Sequence, residues 1–259
     1  MKKLDQKIAV VTGASRGIGQ GIALSLAKEG ANIALADVSL DALEETKKLV
    51  AAEGVKVEAY EIDVTNEEKV TQVFKQVAQD FGTIDITVNN AGVIGIHKTV
   101  EMTGSDWDKI LDVNARGVFL CAKAALEIML PKKDGKIINV ASIAGKKGME
   151  LLSAYCASKF AVVGFTNALA LEVAKEGITV NALCPGIVGT GMWRGENGLA
   201  KAYANEGESE EDSWERQQKT LLPQGEAQTP EDMGQLAVFL ATAPHVTGQA
   251  ISVDGGFGM

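Results

Sequence analysis

The chain has 259 residues, 46% hydrophobic and 23% charged, with a formal net charge of −9; no stretch reads as a linker, so a single domain spanning 1–259 is expected. The acidic balance argues against nucleic acid or an anionic membrane as partner, and the apolar runs are shorter than a bilayer span. The N-terminal MKKLDQKIAVV has too short an apolar run for a secretion signal, which points to a cytoplasmic protein acting on small molecules.

In chain order, short β-branched runs alternate with longer helix-like segments. KIAVV (7–11) precedes a helix over 17–29, NIALA (32–36) one over 39–53, and VKVEAY (55–60) one over 66–81. DITVN (85–89) is followed by a helix over 106–130, GKIINV (135–140) by one over 153–176, and ITVNAL (178–183), after a long break, by one over 230–242 and the strand AISV (250–253). Strands apolar on both faces and separated by amphipathic helices predict an α/β, Rossmann-type doubly wound sheet: seven parallel strands, helices on both faces, and ligands at the carboxyl ends of the strands.

Chemistry-bearing residues fall at those ends. After the first strand, TGASRGIG supplies Gly13, Gly17 and Gly19, which permit a tight turn and let backbone N–H groups approach a pyrophosphate at a helix start. The second strand ends at Asp37, whose carboxylate can accept both ribose hydroxyls of an adenosine and repel a 2′-phosphate; the competing reading is an N-cap for the helix that begins near Ser39. SAYCASKFAVVGF (153–165) sets Tyr155 and Lys159 four positions apart on one helical face, either as packing residues or as a phenol and the ammonium that acts on it. A free tyrosine ionises near pH 10, and bringing it within reach of neutral pH takes roughly 3 to 4 kcal/mol. An ammonium about 4 Å away at an effective dielectric near 20 supplies about 4 kcal/mol, so Lys159 is expected to lower the Tyr155 pKa. Cys121, Cys156 and Cys184 are odd in number and set in apolar surroundings, so they read as small buried side chains. His97 and His245 lie in separate loop-like segments, and no metal site is expected.

Taken together, these motifs resemble the short-chain dehydrogenase/reductase family over essentially the whole chain, from Lys7 to Gly256. The resemblance rests on the glycine motif at Thr12 to Gly19, Asp63-Val64, the N-N-A-G run at Asn89 to Gly92, Asn114, the serine, tyrosine and lysine at Ser142, Tyr155 and Lys159, and Pro185-Gly186 with Thr190 beyond. It implies Tyr155 as proton donor and acceptor, Ser142 on the substrate oxygen, Lys159 on the nicotinamide ribose and the tyrosine pKa, and Asn114 positioning a water of the proton relay. The cofactor would be held by Gly13, Ser15, Arg16, Gly17, Ile18 and Gly19, by Asp37 and Val38, by Asp63 and Val64, by Asn90, Ala91 and Gly92, by Tyr155 and Lys159, and by Pro185, Gly186, Val188 and Thr190. Asp37 favours NAD over NADP, whereas Arg16 is a residue that NADP-using relatives place beside the 2′-phosphate. Ser142 as a turn-capping hydroxyl and Asn114 as a backbone-bonding polar residue are the alternatives for those two positions.

Between Thr190 and Pro230 the alternation breaks. This segment, about 190–228, reads as a mobile substrate lid with apolar anchors at Met192, Trp193, Trp214, Leu221 and Leu222, its aromatic and methionine side chains lining the pocket, and an acidic run, Glu206 to Asp212, as a solvated face. The resemblance is nearest to bacterial polyol, diol and acetoin dehydrogenases, which implies a small secondary alcohol or ketone substrate. A 3-oxoacyl-[acyl-carrier-protein] reductase and a non-catalytic nucleotide-sensing protein are the alternatives. The helix from Ser153 carries Ala154, Ala157, Ala161, Gly164, Ala168 and Leu171, a smooth face that, with the family likeness, suggests a homotetramer.

Overall fold

The computed structural model describes residues 2–195 and 198–259. The seven apolar runs form strands β1 (Ile8–Thr12), β2 (Asn32–Asp37), β3 (Val57–Glu61), β4 (Ile86–Asn89), β5 (Gly135–Val140), β6 (Ile178–Pro185) and β7 (Ala250–Val253). They make one sheet in the order β3-β2-β1-β4-β5-β6-β7, with every pairing parallel. The period of two sorts side chains onto its faces. Ala9, Val11, Ile33 and Leu35 join a core with helices α1 (Gly17–Lys28), α2 (Leu40–Ala51) and α10 (Pro230–Thr242). Val10, Ala34 and Ala36 join the opposite core with α3 (Glu67–Phe81), α5 (Gly117–Lys132) and α6 (Ser153–Val173). The chain reverses its direction of progress between β1 and β4, and the cleft described below opens at the carboxyl ends of the strands there.

Two segments differ from expectation. The helix predicted over 106–130 is two helices, α4 (Gly104–Leu111) and α5, joined by a π turn at Asp112–Arg116 that contains Asn114. It also starts earlier, because Thr103 and Asp106 cap each other's backbone N–H groups. The long break after β6 is not a plain loop but holds α7 (Gly191–Arg194), α8 (Leu199–Ala202) and α9 (Glu210–Leu221); Glu196 and Asn197, within the expected lid, lie outside the described residues. The acidic run has a local purpose: Ser209 caps α9 through the Asp212 N–H, and Glu210, Glu211 and Asp212 fill the first turn, where negative charge is favoured.

α6 with its short continuation (Ser153–Glu176) is, among the described residues, the one helix long and apolar enough to cross a bilayer, yet it packs along β5 and β6 and carries core residues such as Val162, Leu169 and Val173. Ala154 belongs to that core, whereas Ala161, Gly164, Ala168 and Leu171 of the expected smooth face are exposed. Between α6 and the sheet runs a buried polar chain: Asn89 Nδ2 donates to Asn139 Oδ1 at 2.8 Å, and Asn139 Nδ2 donates to Thr166 Oγ1 at 2.9 Å. Replacing Asn139 by Ala removes both bonds and strands the Asn89 amide away from water. Urea unfolding of Asn139→Ala should show a loss of about 1–3 kcal/mol per stranded group; an unchanged midpoint would mean that the chain of amides is dispensable.

Candidate active site

The turn after β1 is shaped by glycines. Gly13 has φ +64, and a Cβ there would lie 2.9 Å from the Ala91 Cα; one on Gly19 would lie 2.1 Å from the Gly13 carbonyl oxygen. The absence of side chains lets this turn lie against the end of β4. There Asn90 Nδ2 donates to the carbonyls of Thr12 (2.9 Å) and Gly13 (3.0 Å), while Thr12 Oγ1 accepts from the N–H groups of Asn90 and Ala91. Gly17, Ile18 and Gly19 at the start of α1 face the cleft, and no side chain caps that helix, so its first N–H groups suit an anion.

Asp37 does not cap α2; Ser39 does, through the Ala42 N–H. The Asp37 carboxylate instead accepts from the N–H groups of Ser15 (3.0 Å) and Val38 (2.8 Å), which hold it at the rim of the cleft with acceptor capacity to spare. Arg16 is exposed beside it and forms no ion pair among the described residues. Asp63 is anchored by Thr65, whose N–H and hydroxyl both donate to Oδ1.

At the other end, Tyr155 and Lys159 project from one face of α6. Lys159 is only 3% exposed, and its ammonium donates to the Val140 carbonyl at 2.9 Å and lies 5.7 Å from the centre of the Tyr155 ring. Burial pushes the lysine down to about 8. It also pushes the Tyr155 phenol up to about 12, with the neighbouring Ser142 hydroxyl working against the rise. The expected lowering by Lys159 is therefore not found in the protein without nucleotide, because loss of solvent outweighs the other influences on the phenol. Ser142 Oγ accepts from the Ala144 N–H at 3.1 Å, so it caps a turn and also faces the phenol.

Asn114 is fully buried behind the cleft. Its Nδ2 donates to the Val93 carbonyl (2.9 Å) and Ser158 Oγ (3.0 Å), and its Oδ1 accepts from the Val93 N–H (2.8 Å). Both amide hydrogens are occupied, so the side chain ties the strand-end loop to α6 and has no donor left for a water. The remaining expected residues, from Gly13 to Thr190, line one cavity of about 1000 Å³ together with Ser142, Tyr155 and Lys159.

The sequence pattern of the short chain dehydrogenases matches residues 7–199. The chain belongs to the short-chain dehydrogenase family. It is 41% identical to an L-2,3-butanediol dehydrogenase of Corynebacterium glutamicum, covering 96% of this chain and 98% of that one. It is also 37% identical to a 3-oxoacyl-[acyl-carrier-protein] reductase of Synechocystis, over the full length of both. Among solved structures, an NAD+-bound xylitol dehydrogenase superposes with a TM-score of 0.92 at 33% identity, covering 98% of this chain and all of that one. An actinorhodin polyketide ketoreductase with NADPH gives 0.92 at 36% identity and 97% coverage of each.

As a short-chain dehydrogenase with alcohol dehydrogenases among its relatives, the protein is an oxidoreductase, which sets aside the nucleotide-sensing alternative; the family uses NAD or NADP. Residues that the sequence did not single out complete the cleft of this dehydrogenase: Ile94, Met149, Leu152 and Phe257. Phe257 sits in the terminal GGFGM, and neither spacing nor composition there signals a return to the site.

The buried pair makes stability depend on pH. In the absence of nucleotide, folded Lys159 releases its proton near pH 8, while the unfolded chain holds it to the ordinary 10.5, so the unfolded state binds more protons in that window and stability rises with pH across it. Tyr155 acts in the opposite sense between its ordinary 10 and about 12, where the folded state keeps the proton and stability falls as pH rises. The buried thiols of Cys121 and Cys184, pushed up by loss of solvent, oppose the rise above about pH 9, so the lysine is read as the wild-type profile minus that of Lys159→Met in urea unfolding from pH 7 to 10, a difference that should grow with pH. Parallel profiles for the two proteins would show that the lysine carries no such proton linkage.

Proposed function

We propose that the protein moves a hydride between NAD(H) and the carbinol carbon of a small secondary alcohol or its ketone, with Tyr155 exchanging the accompanying proton. The observation that carries this reading is the grouping of Ser142, Tyr155 and Lys159 at one end of a cleft whose other end offers a glycine turn, an uncapped helix start and a carboxylate. When bound, the nicotinamide supplies or accepts the hydride and, in its oxidised form, adds positive charge beside the phenol. In ketone reduction the neutral phenol of Tyr155, protonated at pH 7 by a wide margin, donates to the substrate oxygen. Ser142 donates a hydrogen bond to that same oxygen, and Lys159, mostly an ammonium at pH 7, holds the nicotinamide ribose and stabilises the phenolate left behind.

Asp37 supports NAD. Its carboxylate, fixed by two backbone N–H groups, would accept from the ribose hydroxyls, and a 2′-phosphate in its place would face that negative charge. The lid supports a free small molecule over an acidic carrier-bound one. Between residues 190 and 228 the described acidic side chains are Glu206, Glu208, Glu210, Glu211, Asp212, Glu215 and Glu226, against Arg194, Lys201, Arg216 and Lys219. Trp193 and Trp214 pack at 5.9 Å between ring centres to join α7 to α9, so these helices form a cap over the substrate end. The exposed α6 face, with Phe160 and with Leu171 at 84% exposure, supports assembly through that helix, as in a homotetramer. A monomer in sedimentation at micromolar concentration would refute the assembly.

Tyr155→Phe should fold and bind nucleotide yet lose several orders of magnitude in turnover across a panel of diketones, ketoses and acetoacetyl thioesters; near wild-type rates would refute the mechanism. Exclusive use of the thioesters would favour the carrier-linked reading. Asp37→Ala should weaken NADH by about 1.5 to 3 kcal/mol, the scale of hydrogen bonds to a charged group, and improve NADPH, since the repulsion of its 2′-phosphate is removed and Arg16 can pair with it. The comparison is kcat/KM for both cofactors at fixed ketone. A wild type that already prefers NADPH, or a ratio unmoved by the substitution, would overturn the assignment of NAD.

A further inference from the structure

The cleft has two chemically different halves. Its charged liners Arg16, Asp37 and Asp63 stand at the ends of β1, β2 and β3, whereas Ile94, Ile143, Met149, Leu152, Met192 and Phe257 line it from the apolar cluster that includes Tyr155. Of the other polar liners, Asn90 has its amide hydrogens on Thr12 and Gly13, and Thr190 lies against Gly17, both on the nucleotide side. Ser15 and Gln20, in the glycine turn and α1, are on that side too; among the described residues the polar side chains at the substrate end are Ser142, Tyr155 and Lys159, taken up by the reacting oxygen and the ribose, and Trp193, whose indole offers a single N–H donor.

Two of the apolar walls are held in place. Met192 Sδ lies 3.9 Å from the Tyr155 hydroxyl, where the atoms next to a reacting carbonyl must sit. Phe257 comes from the chain's last residues, which are pinned at several points. The Lys147 ammonium lies 3.9 Å from its ring centre and donates to its carbonyl at 2.6 Å, and the Asp254 carboxylate accepts from the N–H groups of Gly256 (3.1 Å) and Gly258 (3.0 Å). The ring is 7% exposed, and the tail is built as a wall of the site.

A ketose or polyol carries a hydroxyl on nearly every carbon, and each one taken from water needs a partner. A wall of Ile, Met, Leu and Phe with one indole N–H, that of Trp193, cannot partner so many. We infer, building on the oxidoreductase reading above, that the substrate is a ketone or alcohol flanked by hydrocarbon rather than a polyhydroxylated chain. Phe257 is the specificity-determining wall that recognises the hydrocarbon, and Lys147 is its positioning residue. This keeps the small secondary alcohol or ketone of the proposed function and excludes the polyols from it.

The test compares two six-carbon ketones, 2-hexanone and fructose, with NADH, and with NADPH in parallel. Wild type should show kcat/KM at least about 100-fold higher for 2-hexanone. Phe257→Ala should raise the KM for 2-hexanone about tenfold while leaving the KM for the nicotinamide cofactor in place. Lys147→Ala should move it the same way by less, and Lys147→Arg, which keeps a cation over the ring, should restore it. Fructose used as well as 2-hexanone, no turnover of 2-hexanone with either cofactor, or a Phe257→Ala effect on the cofactor KM alone would each overturn the inference. Retained turnover in Tyr155→Phe would instead defeat the catalytic reading, whichever ketone is preferred.

Discussion

A lysine held almost out of water sets the terms for the rest of the site. An ammonium in that position has lost most of its hydration, and among the described residues it gains one hydrogen bond in return, to the Val140 carbonyl. Its pKa falls toward the working range, and two of its three donors are left to act on whatever occupies the cleft. The surrounding architecture keeps it there. α6 is apolar and rich in small residues, so it lies close against β5 and β6, and Gly145 permits the close approach of the Ser142 turn, since a Cβ on it would come 2.7 Å from the Lys159 carbonyl oxygen. Asn114, bonded to Ser158 and to both polar groups of the Val93 backbone, fixes the loop after β4 to the same helix.

That dependence explains which features could be read from the sequence. The sheet was legible because strands buried on both faces are near-continuous apolar runs, and β1, β4 and β6 are buried along their whole length. Tyr155 and Lys159 were legible because a spacing of four on a helix fixes relative direction without knowledge of the fold. The sign of the tyrosine shift was not. An argument from the charge of Lys159 counts an attraction whose size depends on separation, while desolvation depends on depth, and depth is a property of the whole fold. The π turn around Asn114 escaped for a different reason: one extra residue shifts the helical phase by about 100°, a change that a single turn of mixed polar and apolar residues does not make visible.

The helix α9 within the lid has local signals in the sequence. Ser209 followed three residues later by Asp212 is a helix start, and Glu208 with Arg216 gives α9 an ion pair that draws the Glu208 carboxyl down to about 2. By net charge alone the acidic run is a solvated face, whereas its place after Ser209 makes Glu210, Glu211 and Asp212 a first helical turn. Phe257 is the harder case, since a terminal phenylalanine among glycines has no periodicity to betray its partners, and only the fold brings Lys147 onto its ring.

The two halves of the cleft stand under different constraints. At the nucleotide end, position is set by backbone: a Cβ on Gly13 or Gly19 would collide with main-chain atoms, and Asp37 is held by N–H groups, so the geometry there follows from the sheet itself. At the substrate end, position is set by side chains on α7 and the C-terminal tail, which are held by a methionine contact to α6, an aromatic pair between α7 and α9 and a lysine over a ring. A side-chain wall can be exchanged without moving the strands, whereas a backbone turn cannot. One scaffold can therefore keep its proton transfer and its nucleotide site while its substrate changes, which is why the apolar wall around Tyr155, rather than the motifs that mark the fold, carries the information about what this enzyme reduces or oxidises.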